Sequence, residues 1–354
     1  MKYPRTSAAL GCLIALMVTA CGNKTPTDGL SGVVQGTGAS SMKSAQEVWV
    51  AQFQTAHPGV TVNYSPDGSG AGRTAFADGA AAFAGSDRAL EDAEMAAPSR
   101  QCAADTTPIN LPVQISTIHI IFNIGGVGEL TLSAEVLAKI FTGQITNWAD
   151  PQIADVNPGI ALPDLPITPV HRSDDSGTTE SFTGALAQIA PATWTEGPVN
   201  RWPTRYGGEA AQGTSGVVAA VQQGNGTIGY ADASGVTDAM ASARYSPDGI
   251  ATPVGPTAEA ASAVVAASPR LEGRGINDWT LELDRTASGY PFILVSYAIA
   301  CSRYADSHTG EIVGAYLSQV ISEEGQNGAV PQAGNVPLSG ELAASIREAA
   351  ATIR

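Results

Sequence analysis

A short apolar strand that runs into a turn of Ser, Thr and Gly, and from there into a helix, recurs along this chain. Its fullest instance is Arg172-Ser173-Asp174-Asp175-Ser176-Gly177-Thr178-Thr179, entered from Pro169-Val170 and followed by Phe182, Leu186 and Ile189 at helical spacing. A turn of this kind leaves backbone N–H groups unpaired at the helix start, where the partial positive charge of the helix end favours an anion. Ser176 and Thr178 add hydroxyl donors, and Gly177 lets the backbone approach a ligand closely. Arg172 brings a fixed fork of donors suited to oxyanions, which Asp174 or Asp175 is placed to hold. The stretch reads as a seat for a tetrahedral oxyanion. A plain helix N-cap uses the same residue types, and this stretch alone does not separate the two.

Earlier turns repeat the pattern. Val33-Val34-Gln35-Gly36-Thr37-Gly38-Ala39-Ser40-Ser41 is a strand opening into a Gly/Ser turn, with a helix pattern through Val48, Trp49 and Phe53. It is not a dinucleotide fingerprint, because Ser41 stands where the third glycine belongs and no acid closes the next strand. Val60-Thr61-Val62-Asn63-Tyr64 alternates like a strand and leads to Asp67-Gly68-Ser69-Gly70-Ala71-Gly72-Arg73, a second such turn before a short helix. Ala81-Ala82-Phe83-Ala84-Gly85-Ser86-Asp87 is a buried-looking strand that delivers Asp87 at its carboxyl end. That end is where open α/β sheets bind ligands, although an acid there also serves to cap a following helix.

The amino terminus sets the compartment. Lys2 and Arg5, an apolar run over residues 8–18 and then Val18-Thr19-Ala20-Cys21 read as an export signal ending in a lipobox-like site, with Cys21 lipidated. The run is too short to span a membrane. Ordinary cleavage with Cys21 incidental is the alternative. Removal of residues 1–20 from the 354 leaves 334, enough for about two domains, and moves the net charge from −15 to −17. So acidic a chain is a poor partner for nucleic acid, and it repels free anions at long range, so an anion site here must work through local, buried donors. Cys102 and Cys301 are the cysteines left after processing, and in an exported chain they are expected to pair. No C-x-x-C or H-E-x-x-H spacing exists and the four histidines are scattered, so neither a metal nor another cofactor is expected.

Taken in order, Gly36-Thr37-Gly38-Ala39-Ser40, Gly68-Ser69-Gly70-Ala71-Gly72, Ala84-Gly85-Ser86-Asp87 and Arg172 to Thr179 resemble the four ligand loops of one family. It is the substrate-binding lipoprotein family of the high-affinity phosphate ABC transporter. Ile140-Phe141-Thr142-Gly143-Gln144-Ile145-Thr146-Asn147-Trp148, Gly213-Thr214-Ser215-Gly216-Val217-Val218-Ala219-Ala220-Val221 and Gly226-Thr227-Ile228-Gly229-Tyr230 resemble later segments of it. The resemblance implies an α/β, periplasmic-binding-protein type II fold, with two lobes, a ligand cleft and hinge crossovers. By position it implies ligand donors at Ser40, Ser41, Ser69, Arg172, Ser176, Gly177 and Thr178, an acceptor at Asp87, and Asp174 orienting Arg172. Ser41 stands where the family often has Phe, so only its backbone N–H carries over, and Asp175 replaces a common Gly.

Ser116 to Asn123 reads as a crossing strand and Phe292-Ile293-Leu294-Val295 as the return, while residues 310–321 and 340–353 read as helices. The expected organisation is a signal peptide over 1–20, a tether over 21–31, one lobe from 32–122 with 289–354, and a second lobe over 123–288. The cysteines then both fall in the first lobe. The expected function is a monomeric extracytoplasmic receptor, lipid-anchored (palmitate) at the cell membrane, that binds inorganic phosphate and passes it to permease subunits. A receptor for sulfate, molybdate or phosphonate on the same fold is the alternative. A Ser176-dependent phosphatase or hydrolase is disfavoured by the lack of a G-x-S-x-G elbow, a spaced base histidine or metal ligands.

Overall fold

The computed structural model describes Met1, residues 29–97 and residues 99–354. The proposed signal, Cys12, Cys21 and most of the tether therefore lie outside the described residues. In chain order the elements are β1 (Gly32–Gly38), α1 (Lys43–Ala56, after a 3-10 turn Ser40–Met42), β2 (Val60–Ser65), α2 (Ser69–Ala77), β3 (Phe83–Ser86), α3 (Asp92–Ala96) and β4 (Pro108–Asn123). Then come β5 (Thr131–Ser133), α4 (Ala134–Phe141), α5 (Pro151–Asp155), β6 (Thr168–Arg172), α6 (Gly177–Ile189), β7 (Glu209–Ala211), α7 (Gly213–Gln223) and β8 (Thr227–Asp232). The chain closes with β9 (Ala241–Ser242), β10 (Arg244–Ser246), α8 (Ala258–Ala267), β11 (Ile293–Cys301), α9 (Ser307–Val320), α10 (Glu323–Ala333) and α11 (Gly340–Ala350).

One curled sheet carries these elements in the order β2-β1-β3-β11-β4-β8-β6-β7. β4 joins its two halves. From Pro108 to Thr117 it pairs antiparallel with β11, and from Ile118 to Asn123 with β8. The hydrophobic core divides at the same place. Ile109, Leu111, Val113 and Ile115 pack with Trp49, Phe53, Phe83 and Tyr316, whereas Ile118, Ile120 and Phe122 pack with Phe141, Phe182, Trp148 and Tyr290. This is an α/β fold of two lobes. Ala261, Val264 and Val265 of α8, with Leu281 beyond it, join the first of these cores.

Local sequence accounts for the elements nearest the seam between the lobes. In α1, Ala45, Trp49 and Phe53 recur every fourth residue and are fully buried, so one stripe seals the helix to the sheet. α2 opens at Gly68, whose φ of 104° is reserved for glycine. At Gly38 any Cβ would fall 1.9 Å from the Gly85 carbonyl oxygen, so the ends of β1 and β3 can touch.

Two strands are longer than the sequence pattern indicates. The crossing strand begins at Pro108 rather than Ser116, because Asn110, Pro112 and Gln114 interrupt its apolar run while remaining in the ladder. The return strand runs on past Val295 to Cys301, with a register shift at Ser296/Tyr297. Cys301 is its last residue and bonds to Cys102, with Cα atoms 5.2 Å apart across 199 positions of sequence.

Candidate anion site in the cleft

β1, β2, β3 and β6 all end at the seam, and each hands the chain to a helix there. The turns after them bring Ser40, Ser41, Ser69, Asp87 and residues 172–178 together at the starts of α1, α2 and α6. Each helix head presents backbone N–H groups that have no partner in a preceding turn. Of the expected residues, Ser41, Ser69, Asp87, Arg172, Ser176 and Thr178 are all at most 5% exposed, and Gly177 is buried with them. Polar groups this deep must satisfy one another or a ligand.

Asp87 sits at the centre. Its Oδ1 accepts from the Ser41 hydroxyl at 2.7 Å and from the Ser296 hydroxyl at 2.7 Å. Its Oδ2 accepts from the Thr178 hydroxyl at 3.1 Å, and its own N–H donates to Ser69 Oγ at 3.1 Å. The Thr178 bond spans the cleft, because Asp87 belongs to the first lobe and α6 to the second. A Cβ on Gly177 would lie 2.5 Å from Asp87 Cβ and 2.7 Å from Ser69 Oγ, so glycine is what lets α6 come this close.

Arg172, at the end of β6, is 3% exposed. Its Nε donates to Asp174 Oδ1 at 2.7 Å and its Nη2 to Asp174 Oδ2, a two-point clamp that fixes the guanidinium plane. Nη1 reaches toward Thr178 Oγ1 at 3.4 Å. Burial alone would raise the pKa of Asp174, but its bonds and charge contact with Arg172, joined by the Gly213 N–H, hold it below the usual range. The sequence left open whether Asp174 or Asp175 holds the arginine. Asp174 does, and Asp175 turns instead to Arg73 and Arg201.

Ser176 caps α6 by accepting from the Thr179 N–H at 3.1 Å. The capping and seat readings of this stretch are therefore compatible, since a capping oxygen keeps its O–H proton free to donate. Ser40 stands at the rim, half-buried, with its hydroxyl 3.2 Å from that of Thr214 at the head of α7.

Several side chains here were not read from the sequence. Ser296 lies inside a strand that is otherwise apolar and fully buried, and that lone polar residue was the available signal. The strand's register shift falls beside it, as bulges do where a side chain must be re-aimed. Thr214 had no signal beyond its Gly-Thr-Ser-Gly setting. Tyr230 receives the Arg172 N–H at 3.3 Å and pairs with Thr179 at 2.8 Å, and burial pushes its hydroxyl up to about 12. Among the described residues, no three His, Cys, Asp or Glu side chains are grouped so as to hold a metal ion. The arrangement is suited to binding: fixed donors and one central acceptor, all but Ser40 buried.

The chain is similar to known proteins over most of its length. The family described as PBP superfamily domain matches residues 23–324. Phosphate-binding protein PstS 2 of Mycobacterium tuberculosis is 34% identical over 371 aligned positions that cover 99% of each chain. Phosphate-binding protein PstS3 of Mycobacterium bovis is 34% identical over 363 positions, covering 94% of this chain and 95% of the relative. Among solved structures, the periplasmic phosphate-binding protein PfluDING with bound phosphate superposes with a TM-score of 0.70 at 23% identity, over 90% of this chain and 93% of that one. A putative phosphate ABC transporter substrate-binding protein from Clostridium perfringens gives 0.62 at 20% identity, over 87% and 100%. At those identities the two structures speak for the fold.

Proposed function

We propose, for a chain that belongs to the PstS family of phosphate-binding proteins within the PBP superfamily, that inorganic phosphate binds in the cleft at the heads of α1, α2 and α6. The observation that carries this is the pairing of one buried carboxylate, Asp87, with a clamped guanidinium, Arg172, amid hydroxyl and helix-head donors. Arg172, Ser40, Ser69 and Ser176, with the backbone at Ser41, Gly177 and Thr178 (whose hydroxyl is given to Asp87), donate to the phosphate oxygens. Asp87 accepts a hydrogen bond from the hydroxyl of monohydrogen phosphate. Sulfate has no such hydroxyl and would meet a buried like charge, so phosphate is favoured over it.

The two lobes, 32–122 with 289–354 and 123–288, close on the ligand, and α8 reaches back onto the first lobe's core. The chain serves an ABC transporter, handing phosphate to membrane permease subunits as a monomeric receptor and carrying out no catalysis. Cys21 attaches it to the outer face of the cell membrane through lipid, a reading that rests on the Val18-Thr19-Ala20-Cys21 pattern.

Calorimetric titration with phosphate tests the binding assignment. Arg172→Ala removes charge-assisted hydrogen bonds worth roughly 1.5–3 kcal/mol each, so affinity should fall by at least about tenfold. Unchanged affinity would place the phosphate elsewhere.

A further inference from the structure

Beside the phosphate seat, on the seam between the lobes, five charged side chains form a network that the binding reaction does not use. Arg73 of α2 and Arg88 after β3 both belong to the first lobe, and Glu94 of α3 joins them. Glu94 Oε1 lies 3.1 Å from Arg73 Nε and also accepts from Arg88 Nη2 at 3.1 Å, while its Oε2 accepts from Arg88 Nη1 at 2.5 Å. Across the seam stand two acids of the second lobe. Asp175 Oδ1 is 3.5 Å from Arg73 Nη2, and Glu180 Oε2 is 3.0 Å from Arg88 Nε. The backbone crosses at the same point, where the Gly70 N–H donates to the Asp175 carbonyl oxygen at 3.3 Å.

The exposures decide what such pairs are worth. Arg73 and Arg88 are 6% and 15% exposed, Asp175 and Glu180 24% and 18%. These are not solvated surface pairs, whose contribution is close to nothing, although burial pushes the Glu180 carboxyl up and the charges of Arg88 and Arg73 offset only part of that. Arg73 is held further by its Nη1 bond to Ser86 at 3.0 Å, so it waits in place for its partner. Asp175 also has Arg201 of its own lobe 3.7 Å away, and Arg88 has the exposed Glu91 at 3.9 Å. When the lobes part, the contacts of Arg73 and Arg88 to Glu94 persist and those to Asp175 and Glu180 break.

We infer that Asp175 and Glu180 are positioning residues that latch the closed lobes onto Arg73 and Arg88, and so set how slowly phosphate leaves without touching it. This rests on the closure described under the proposed function. A ligand that needs the closed form binds more tightly in proportion to the closed fraction. The latch acts on release more than on capture, because phosphate enters while the acids are still apart.

The test uses the whole folded protein and the variants Asp175→Asn, Glu180→Gln and the double substitution. In stopped-flow release of inorganic phosphate, each single change should raise the dissociation rate roughly two- to fivefold, the double change more, with association little altered. Raising salt should speed release from the wild type and leave the double variant nearly indifferent. Small-angle scattering without ligand is read separately, and the double variant should be the more open. Equal release rates with equal salt dependence, or equal ligand-free dimensions, would overturn the latch. Failure of the wild type to bind phosphate would overturn the binding assignment instead, leaving the scattering comparison to judge the latch.

Discussion

Asp87 and Asp232 are both buried carboxylates near the hinge, and their partners give them different work. Asp87 takes three hydroxyl bonds and faces the cleft. Asp232, fully buried at the end of β8, accepts from the Ser116 hydroxyl and from the Ser234 N–H at 2.9 Å. Burial raises its pKa to about 6 from 3.8, outweighing those bonds, and the charge of Asp87 pushes the same way. A folded-state pKa above the unfolded one means that stability is fully present below about pH 4 and is lost as pH rises through about 6. Asp232→Asn is neutral throughout, so between pH 4 and pH 7 it should gain on the wild type by about 2 kcal/mol. Urea unfolding of both proteins at the two pH values checks this, and a constant difference would refute it. At this scale the sequence was informative where a motif fixed geometry, as at Arg172, Ser176 and Thr178. It was silent where the partner is distant in the chain. Ser41, from which only a backbone contact was expected, reaches Asp87 through its hydroxyl, and Ser296 meets Asp87 from 209 positions away.

The elements around the cleft were the most legible part of the fold, because strand, small-residue turn and helix follow one another within a dozen residues and each change of periodicity is local. α1, α2, β3 and α6 all lie where the pattern puts them. The long strands were harder. Asn110 and Gln114 break the apolar run of β4, and neither the cross-strand partner β11 nor the Asp278 carboxylate that Asn110 bonds can be seen from sequence nearby. α10 is the extreme case: it carries Gly325, Gly328 and Pro331, yet it holds because Trp49 of α1 donates to the Gly325 carbonyl and Ala329 and Ala333 are buried. Packing overrides propensity there. The Cys102–Cys301 bond was legible by elimination, and closing a loop of 199 positions is worth about 5 kcal/mol in the chain-entropy model, less any strain.

Taken whole, the molecule is an acidic chain, net charge −15, that binds an anion. So negative a chain does not draw phosphate in at long range, and the proposed site must hold it with local donors once it arrives. The proposed lipid attachment at Cys21 would keep the receptor near its permease. Cys21→Ala should release the protein from the membrane fraction or block its processing, and unchanged fractionation would refute the lipid anchor. The central claim, that Asp87 reads the phosphate proton, is tested most directly by the ratio of phosphate to sulfate affinity. Calorimetry with both anions on wild type and Asp87→Asn gives it. The wild type should prefer phosphate by orders of magnitude. In the variant an amide that donates or accepts replaces the carboxylate, so sulfate should gain and the ratio collapse while phosphate binding changes modestly. A wild type that binds sulfate as well as phosphate, or a variant that keeps the full preference, would contradict it.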